Sequence, residues 1–508
     1  MGIFRRHSEK DDPEDVSPPS SEHLIMAIEQ EAPLLHLPSE ILHTVCCFLP
    51  YQSLVSLSRT CQQLRAIALK DSLWESILRS HIPPEDFPRD PYPSPSYREL
   101  FITHHPYWFI PKSKIWISDD PHTGKVMIAR YDPRRGCIEG YRLLADRNPS
   151  VGMLWLFKPS VVIHNFNPKV HLWVDDPVIK IPHGLVPINA RQGWLKTEIR
   201  MMVGPERRHT SASLSLCRDI PERLQDKSMS LWPPRTIPNM PRVRAESVDN
   251  FKGSGHKPQA WDEISQTTFR LRHWSQFSIG MSQYGVRVGE QVSTWTTLDP
   301  SLYTPTADKP YQGIFVGDYA GHGCEFLLVM QTEKSRGSDP PKKPHPLSIK
   351  QTTQHDSEDG SGDDGDESWE DLGQPEAASS GTEWKDHDIH QGAIEAVKLT
   401  GDPNVPRGEY TFIADDIGPA GLIRIAIEPP FPGARVVRSR GHVAARGFVN
   451  DEFIPSQLIM INFNRLAQYW EPFGHISFYE RVDIDRLMDD TFRPRRQDQS
   501  DYIATVKC

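Results

Sequence analysis

The chain has 508 residues, enough for two or three domains. Only 37% of them are hydrophobic, and 46 prolines outnumber 32 glycines. This composition favours a folded core with long unstructured insertions over one compact globule. The net charge of −10 comes largely from one acidic segment. No basic stripe with interleaved aromatic residues occurs, which argues against nucleic acid as the main partner.

Cysteine usage and hydropathy indicate an intracellular protein. The seven cysteines form no C-x-x-C pair and no His/Cys spacing that suits zinc. We therefore expect reduced thiols and no metal. The N-terminal residues 1–20 lack the apolar core of a signal peptide, and no apolar run approaches the length of a membrane span. We expect no membrane partner and a location in the cytoplasm, the nucleus or both.

Catalytic motifs are missing from the sequence. It has no G-x-S-x-G elbow, no P-loop, no H-E-x-x-H helix and no dinucleotide fingerprint. Asp318 and Glu325 are of a type used in acid–base chemistry, but ordinary surface or turn carboxylates are the favoured interpretation. We expect a non-catalytic protein without a cofactor.

Residues 34–82 are the only stretch that reads as several compact helices in succession. The preceding segment, 1–33, is charged and proline-bearing, and we predict that it is disordered. The residues that fit helix caps are Ser39, the pair Thr60 and Gln63, and the pair Ser72 and Glu75. Helices this few and short cannot bury all of their apolar surface on themselves. The unit is therefore predicted to dock onto a partner.

The apolar positions of this stretch follow a known pattern. They are Leu37-Pro38-x-Glu40-Ile41-Leu42, followed by Val45, Leu49, Leu57, Cys61, Leu64 and Trp74. The pattern resembles the F-box family, which implies docking onto the adaptor Skp1 and through it onto a cullin–RING ubiquitin ligase. The expected Skp1-binding residues are Leu37, Pro38, Ile41, Leu42, Val45, Leu49 and Trp74, because apolar anchors carry most interface energy. The alternative is a plain helical hairpin within a larger helical domain.

The chain changes character after the helical stretch. Residues 83–103 are predicted to form a stiff proline-rich linker that ends in a helix over Tyr97–His104. From 104 to 490 short apolar or alternating runs are separated by turn residues, with a hairpin turn at Asp132–Gly136. Many short strands without βα alternation favour an antiparallel barrel or sandwich. The whole chain is therefore assigned to the α+β class.

Two segments interrupt the predicted strands. Residues 205–258 are rich in Ser, Pro and Arg, and residues 334–390 contain an acidic run at Asp356–Asp371. Both are predicted to be disordered insertions. Near the end of the chain, Arg465–Trp470 is interpreted as a short helical turn and 491–508 as a loose tail.

Two further stretches carry a second resemblance. They are Gly313-x-Phe315-x-Gly317-x-Tyr319-x-x-His322-Gly323-x-Glu325 and Lys398-Leu399-Thr400-Gly401-Asp402-Pro403-Asn404-x-Pro406-x-Gly408. With the F-box upstream, they resemble the family of F-box only protein 31 and its fungal and plant relatives. The resemblance implies that a β-barrel follows the F-box and receives a protein substrate, often by a short degron at the end of the substrate chain.

The residues themselves leave alternatives open. Strand alternation puts Phe315, Gly317 and Tyr319 on one face, where glycines either admit a close neighbour or only let the strand bend. The turn at 400–404 is rigid and polar, and suits either recognition of a peptide end or the joining of two strands. The expected substrate-binding residues are Phe315, Tyr319, His322, Lys398, Asp402 and Asn404. For His322 a plain loop role is favoured.

Four charged residues are candidates for pairing with the end of a substrate chain. Lys398 and Arg424 are candidate partners for a carboxylate, whereas Asp415 and Asp416 would instead accept a hydrogen bond from an amide or amine. The sequence leaves this choice open.

The hypothesis that unites these patterns is a substrate-recognition subunit of an SCF (Skp1–cullin–F-box) E3 ubiquitin ligase. The F-box would dock on Skp1, and the β-barrel would bind a degron for ubiquitination and proteasomal degradation. One alternative is a small-molecule-binding or enzymatic barrel whose F-box only controls its turnover. Another is a Skp1-bound scaffold outside any ligase.

Overall fold

The protein consists of two compact units. A computed structural model describes residues 33–148, 151–184, 197–201, 210–225, 230–238, 241–244, 257–278, 285–319, 323–333 and 389–493. One unit comprises 1–108 together with 131–137, and the other comprises 109–130 together with 138–508. In their described parts the first unit is mainly helical and the second is built mainly from strands.

The helical unit has five α-helices in its described part. They are α1 (Ser39–Cys47), α2 (Tyr51–Leu57), α3 (Gln62–Ala68), α4 (Asp71–Arg79) and α5 (Tyr97–His104), with 3-10 turns at Pro33–His36 and Pro84–Asp86. Its core is formed by Leu42, Leu54, Leu64, Ile67, Trp74, Leu78 and Phe101, each at most 7% exposed. The Trp74 indole donates a 3.0 Å hydrogen bond to the carbonyl of Ala68, which fixes α4 against α3. The predicted helical unit at 34–82 is confirmed.

The predicted caps of these helices are wrong. α1 begins at Ser39 itself, and the cap positions of α3 and α4 are Cys61 and Lys70, none with a side-chain capping bond. The Thr60 hydroxyl donates to the carbonyl of Leu57 at 2.7 Å, so it closes the end of α2 instead of opening α3. Since a hydroxyl can satisfy either a preceding carbonyl or a following amide, the sequence pattern alone does not decide between them.

The helix predicted over Tyr97–His104 and the hairpin turn are confirmed, whereas residues 83–103, predicted as a linker, lie within the first unit and bury Leu100 and Phe101 in its core. α5 has the predicted bounds, and the Ser96 hydroxyl caps it by accepting from the Glu99 amide at 3.1 Å. Residues 131–137 belong to the same unit, and there the Asp132 carboxylate accepts from the backbone amide of Arg134. Both contacts are local turn chemistry, which is why sequence patterns can predict them.

The second unit begins with α6 (Phe109–Ser113), which occupies residues expected to start a strand. An open sheet of nine strands follows. Its strands are β1 (Ile115–Ser118), β2 (Val126–Asp132), β3 (Cys137–Arg147), β6 (Pro168–Trp173), β7 (Ile179–Pro182), β8 (Glu198–Met201), β9 (Thr210–Arg218), β12 (Ile264–Ser278) and β13 (Gly285–Thr297). Their order is β6-β3-β2-β1-β13-β12-β9-β8, with β7 paired to β3. Two small hairpins, β4 (Gly152–Leu154) with β5 (Val162–His164) and β10 (Leu231–Trp232) with β11 (Val243–Arg244), lie outside this sheet.

A closed antiparallel barrel follows the short helix α7 (Pro300–Tyr303). Its strands are β14 (Gly313–Asp318), β15 (Cys324–Thr332), β16 (Ala393–Lys398), β17 (Tyr410–Ala414), β19 (Arg435–Ala445), β20 (Val449–Asn462), β21 (Arg465–Trp470) and β22 (His475–Arg481). Pairing of β17 with β19 closes the ring of eight, and β18 (Leu422–Ile425) adds to β19 from outside. The helix α8 (Ile484–Phe492) follows the barrel. The predicted barrel is confirmed, but it occupies 313–481 and not all of 104–490.

Alternate side chains of the barrel strands face two different cores. The interior core includes Phe315, Leu327, Val329, Ile394, Ala396, Phe412, Val437, Leu458, Leu466 and Tyr479. The outward-facing side chains join the open sheet in a second core that includes Ile117, Ile128, Leu143, Trp155, Trp232, Ile314, Val316, Leu328 and Val397. The alternation predicted for β14 is therefore confirmed.

Several local predictions differ from the structure. Residues 210–218, inside the predicted insertion 205–258, form β9 and pair with β8 and β12. Residues 465–470, interpreted as a helical turn, are the interior barrel strand β21. Residues 491–492, assigned to the tail, complete α8. Serine-rich or Ala/Gln-containing segments lack strong strand propensity, and here tertiary pairing overrides that preference.

Three predicted disordered segments lie wholly or mostly outside the described residues. These are 1–32 of the N-terminal tail, 334–388 of the second insertion and 494–508 of the C-terminal tail, so their predictions are untested.

Candidate functional site

Helix α1 carries apolar side chains on two distinct faces. Leu42 and Cys46 are both 2% exposed and pack into the helical core. On the other face Ile41 and Val45 are 49% and 46% exposed, and Phe48 is 84% exposed. The spacing of Ile41, Val45 and Phe48 places them in one row along the helix. An exposed row of large apolar side chains is typical of an interaction surface.

The expected Skp1-binding residues divide between the two faces. Leu37, Pro38, Ile41 and Val45 are exposed, and Leu49 is half-buried beside an open groove of 410 Å³ along α2. Leu42 and Trp74 are buried, at 2% and 3% exposure, so they form the core of the unit instead of its surface. The expectation that Leu42 and Trp74 lie on the Skp1-binding surface therefore differs from the structure.

The second candidate site lies at one end of the barrel. The strands β14, β16, β19 and β21 all run towards this end, which we call the site end, because neighbouring strands are antiparallel. Lys398, Asp402 and Tyr319 meet there. Residue 333, which follows β15, and residue 389, which precedes β16, lie at the opposite end of the barrel.

A buried ionic cluster occupies the site end. The Lys398 ammonium lies 2.8 Å from Glu325 Oε2 and 2.7 Å from Asp402 Oδ2, and all three side chains are at most 8% exposed. Glu325 shares the inward face of β15 with Leu327 and Val329, while Lys398 shares that of β16 with Ala396. The interpretation of Glu325 as an ordinary surface or turn carboxylate is therefore wrong.

The two carboxyl groups of this cluster have opposite pKa shifts. Burial, which the attraction of Lys398 only partly offsets, raises the pKa of Glu325 to about 8. Asp402 is also desolvated, but Lys398, Glu325 and the Val405 amide bond its carboxylate and lower its pKa to about 2. At neutral pH the cluster therefore holds a protonated Glu325 and an Asp402–Lys398 ion pair, which avoids two buried anions on one cation.

Tyr319 lies over this cluster. The Lys398 ammonium is 4.5 Å from the centre of its ring, and its hydroxyl lies 2.6 Å from the Thr411 hydroxyl. Burial, with Tyr479 and Glu325 nearby, raises the pKa of Tyr319 well above its usual value. By accessible surface the residue as a whole is only half-buried, so among the predicted residues it is one that can meet a ligand at the site end.

The 400–408 turn is as rigid as its composition predicts. Asp402 Oδ1 accepts from the backbone amides of Asn404 and Val405, at 2.6 and 2.9 Å. The Asn404 side chain donates to the Ala444 carbonyl at 3.0 Å, which ties the turn to the end of β19. Pro403 is exposed and Asn404 is half-buried, so the turn presents its tip to solvent.

The barrel glycines make room for aromatic rings of the barrel itself. A Cβ at Gly317 would lie 2.7 Å from the Tyr479 ring, and one at Gly441 would lie 2.2 Å from the Trp470 ring. Phe315 is fully buried beneath them, so it supports the core and presents no surface for a substrate. The predicted close approach to the backbone is real, but its occupant is intramolecular.

Polar interior groups are bonded to one another. The Tyr479 hydroxyl donates to Gln468 at 3.1 Å, and Gln468 donates to the Ser456 hydroxyl at 2.9 Å. The Ser439 hydroxyl lies 2.8 Å from that of Ser456. The described side chains of the barrel interior are packed together, and these polar groups bond one another, so the rim is where a ligand would meet the barrel.

The remaining candidates lie elsewhere. Arg424 forms a bidentate pair with Glu428, at 2.7 and 3.0 Å, and stacks on Phe157 outside the barrel. Asp415 pairs with Arg440 at 2.7 Å, and Asp416 caps a local turn, both beyond the end of β17 opposite to the site end. His322 lies outside the described residues.

Metal-binding clusters and membrane-spanning helices are both absent from the part of the chain that the structure describes. The described residues contain no group of three or more His, Cys, Asp or Glu side chains placed to hold a metal ion. Among the described helices, none has the length and apolarity needed to cross a membrane.

Comparison with protein families agrees with the two-unit architecture. Residues 34–80 match the family described as F-box-like, so the helical unit is an F-box-like domain. Residues 295–486, which include the whole barrel and the end of β13, match the family described as Cyclin D1 binding domain. The chain thus contains an F-box-like domain followed by a region similar to the Cyclin D1 binding domain family.

Two plant proteins show local similarity. An F-box/kelch-repeat protein of Arabidopsis thaliana is 36% identical over 61 residues, which cover 12% of each chain. The chloroplastic protein EXECUTER 2 of the same plant is 24% identical over 183 residues, or 36% of this chain and 22% of that protein. The chain thus spans between about an eighth and a fifth of the length of these relatives.

Proposed function

We propose that the protein is the substrate-recognition subunit of an SCF E3 ubiquitin ligase, related to F-box only protein 31. The observation that carries this proposal is the second apolar face of α1. Ile41, Val45 and Phe48 form an exposed apolar row along α1, and Leu37, which precedes the helix, is exposed as well. Such anchors suit a permanent adaptor, for which Skp1 is the F-box partner, and through Skp1 the chain would join a cullin–RING ligase.

The barrel is proposed to hold a short segment of a protein substrate, at its site end. Tyr319 and Asn404 would contact the segment, and Lys398 and Asp402 would hold the rim in shape through their buried ion pair. A match to a domain named for cyclin D1 binding supports a protein ligand. The packed interior of the barrel supports rim binding over an enclosed small-molecule cavity. In this proposal the protein is a non-catalytic receptor that acts in the cytoplasm, the nucleus or both.

The adaptor step is tested by co-purification of Skp1 with the full chain. Leu37→Ala combined with Ile41→Ala should abolish Skp1 recovery, because the two exposed anchors are truncated while the core remains. The matched control is Ile423→Ala with Ile425→Ala, which removes two residues of similar exposure, 42% and 49%, from the strand unit. Equal Skp1 recovery from both double variants would overturn the assignment.

The receptor step is tested with a display library of random peptides that carry free C-termini. The full chain should enrich a subset of peptides, and Tyr319→Phe or Asn404→Ala should weaken their retention. The control is Arg438→Lys, an exposed arginine that bonds the Ala420 carbonyl on the other side of the barrel. Retention that is unchanged in both rim variants would place the receptor surface elsewhere.

A further inference from the structure

A second loop, which lies outside the barrel, contacts the turn at 400–408 through hydrogen bonds. Residues 119–124, which follow β1 in the open sheet, run alongside it. The Gly401 amide donates to the Thr123 carbonyl at 2.8 Å, and the Arg407 amide donates to the His122 carbonyl at 2.9 Å. Two backbone bonds join loops that are almost 300 residues apart in the chain, so neither loop alone fixes their geometry.

Arg407 is the side chain that locks these loops together. Its Nε donates to the Asp120 carbonyl at 2.6 Å, and its Nη2 donates to the Asp119 carbonyl. Its guanidinium carbon also lies 4.4 Å from the centre of the Trp232 ring. One planar group thus forms a fork to two carbonyls and stacks on an indole, a combination that lysine cannot reproduce.

The 119–124 loop is itself hydrogen-bonded to the open sheet. The Thr294 amide donates to Asp119 Oδ1 at 2.5 Å, and the Gln291 amide group donates to Asp120 Oδ1 at 2.9 Å. Lys125 pairs with Asp120 at 3.0 Å. The carbonyls that Arg407 bonds are therefore held in place by β13.

Two glycines show how closely the loops approach. A Cβ at Gly124 would lie 2.7 Å from the Leu399 carbonyl oxygen, and one at Gly401 would lie 2.9 Å from the His122 carbonyl oxygen. On the other side the Thr236 hydroxyl donates to the Gly408 carbonyl at 2.6 Å. The turn is held on two sides by segments that contribute nothing to the barrel wall.

We propose that Arg407 is a positioning residue that presets the 400–408 turn for substrate recognition. The inference rests on the proposed function of the site end. Arg407 itself touches no substrate; it keeps Asp402 and Asn404 in one arrangement before binding, so that the ordering cost is not paid during recognition. The open sheet thereby acts as a frame for the barrel rim.

The test compares Arg407→Lys and Arg407→Gln with the control Arg438→Lys in the full chain. Amide hydrogen exchange without ligand should accelerate about tenfold in residues 399–408 and 119–124, as expected from losing two ordinary hydrogen bonds. The strands β19–β22 and the control should keep their exchange rates. Arg407→Lys should not restore the slow exchange of the turn. It keeps the positive charge, but a lysine ammonium cannot form the two parallel hydrogen bonds of the guanidinium group.

Binding of the C-terminal peptide library supplies the second readout. Both Arg407 variants should retain the enriched peptides about tenfold less well, with thermal unfolding close to that of the control. Unchanged exchange in the turn overturns the inference, and so does equal acceleration throughout the barrel, which would indicate a general stability role. Faster turn exchange with undiminished peptide retention also overturns it.

The same experiment separates this inference from the proposed function. If the unmodified chain enriches no peptide, receptor function at the site end fails. The exchange rates then still decide whether Arg407 holds the turn, because they are measured without ligand.

Discussion

Glu325 lies inside the barrel, where burial and a neighbouring cation act on its carboxyl group in opposite directions. Burial prevails, since Lys398 is shared with Asp402, and the pKa of Glu325 rises to about 8. The strand register could have revealed this position, because Glu325 is two residues before Leu327 on a period of two. The cause of the shift depends on Lys398 and Asp402, which are distant in sequence and become neighbours only in the barrel.

The shift of Glu325 predicts how stability depends on pH. Its unfolded value is 4.5, so between about pH 4.5 and 8 the folded state keeps a proton that the unfolded state releases. The contribution of Glu325 to the free energy of unfolding is therefore fully present below pH 4.5 and is lost as the pH rises to 8. The free energy of unfolding falls by at most about 1.4 kcal/mol per pH unit in this range. Asp402 changes only below its unfolded value of 3.8, outside this window.

Glu325→Gln should remove that slope, because glutamine stays neutral throughout. Thermal unfolding of the full chain and the variant, measured from pH 5 to 8, checks this. The difference in stability between them should move in favour of the variant as pH rises. A parallel pair of curves would contradict the assignment of a protonated Glu325.

The glycines of β14 differ in how much space surrounds them. Gly317→Ala places a methyl group 2.7 Å from the Tyr479 ring, whereas the nearest atoms to one at Gly313 lie 3.4 Å away. We expect a loss of about 1–3 kcal/mol for Gly317→Ala from overpacking. Gly313→Ala, on the same face of the same strand, is the control and should cost less. Chemical denaturation compares them, and equal losses would show that the Tyr479 ring can move aside.

At the scale of elements, local patterns and long-range pairing differ in how far sequence predicts them. α5 and the turn at 132–136 were predicted because their signals lie within a few residues. β9 and β21 were not, since TSASLSLCR and RLAQYW become strands only through neighbours such as β12 and β20. Of the candidate site, the turn chemistry of Asp402 and Asn404 was predictable, whereas the hydrogen bonds between this turn and residues 119–124 were not.

Helix α1 gives a prediction at this scale, because its two faces should respond differently. Leu42→Ala removes a buried side chain and should destabilise the helical unit by about 2–5 kcal/mol. Ile41→Ala removes an exposed one and should leave its stability nearly unchanged while weakening Skp1 binding. Amide exchange of α1–α4, with Skp1 titration in parallel, separates the two effects. Similar exchange in both variants would show that the faces are not distinct.

At the scale of the whole molecule, the chain combines an F-box-like domain with a barrel-containing strand unit. The F-box-like domain could be predicted from 34–82 because the F-box pattern is local and specific. The extent of the barrel could not, since the open sheet and the barrel share the same strand signals and differ only in which strands pair. In the proposed function, adaptor binding belongs to one unit and substrate choice to the other.

Comparison of ubiquitin-modified proteins in cells tests this division most directly. The cells would express the unmodified chain, the Leu37→Ala/Ile41→Ala variant or the Asn404→Ala variant under proteasome inhibition. The account predicts that one set of proteins loses its modification in both variants, since either step is needed for transfer. Disjoint sets of affected proteins, or no loss in either variant, would contradict it.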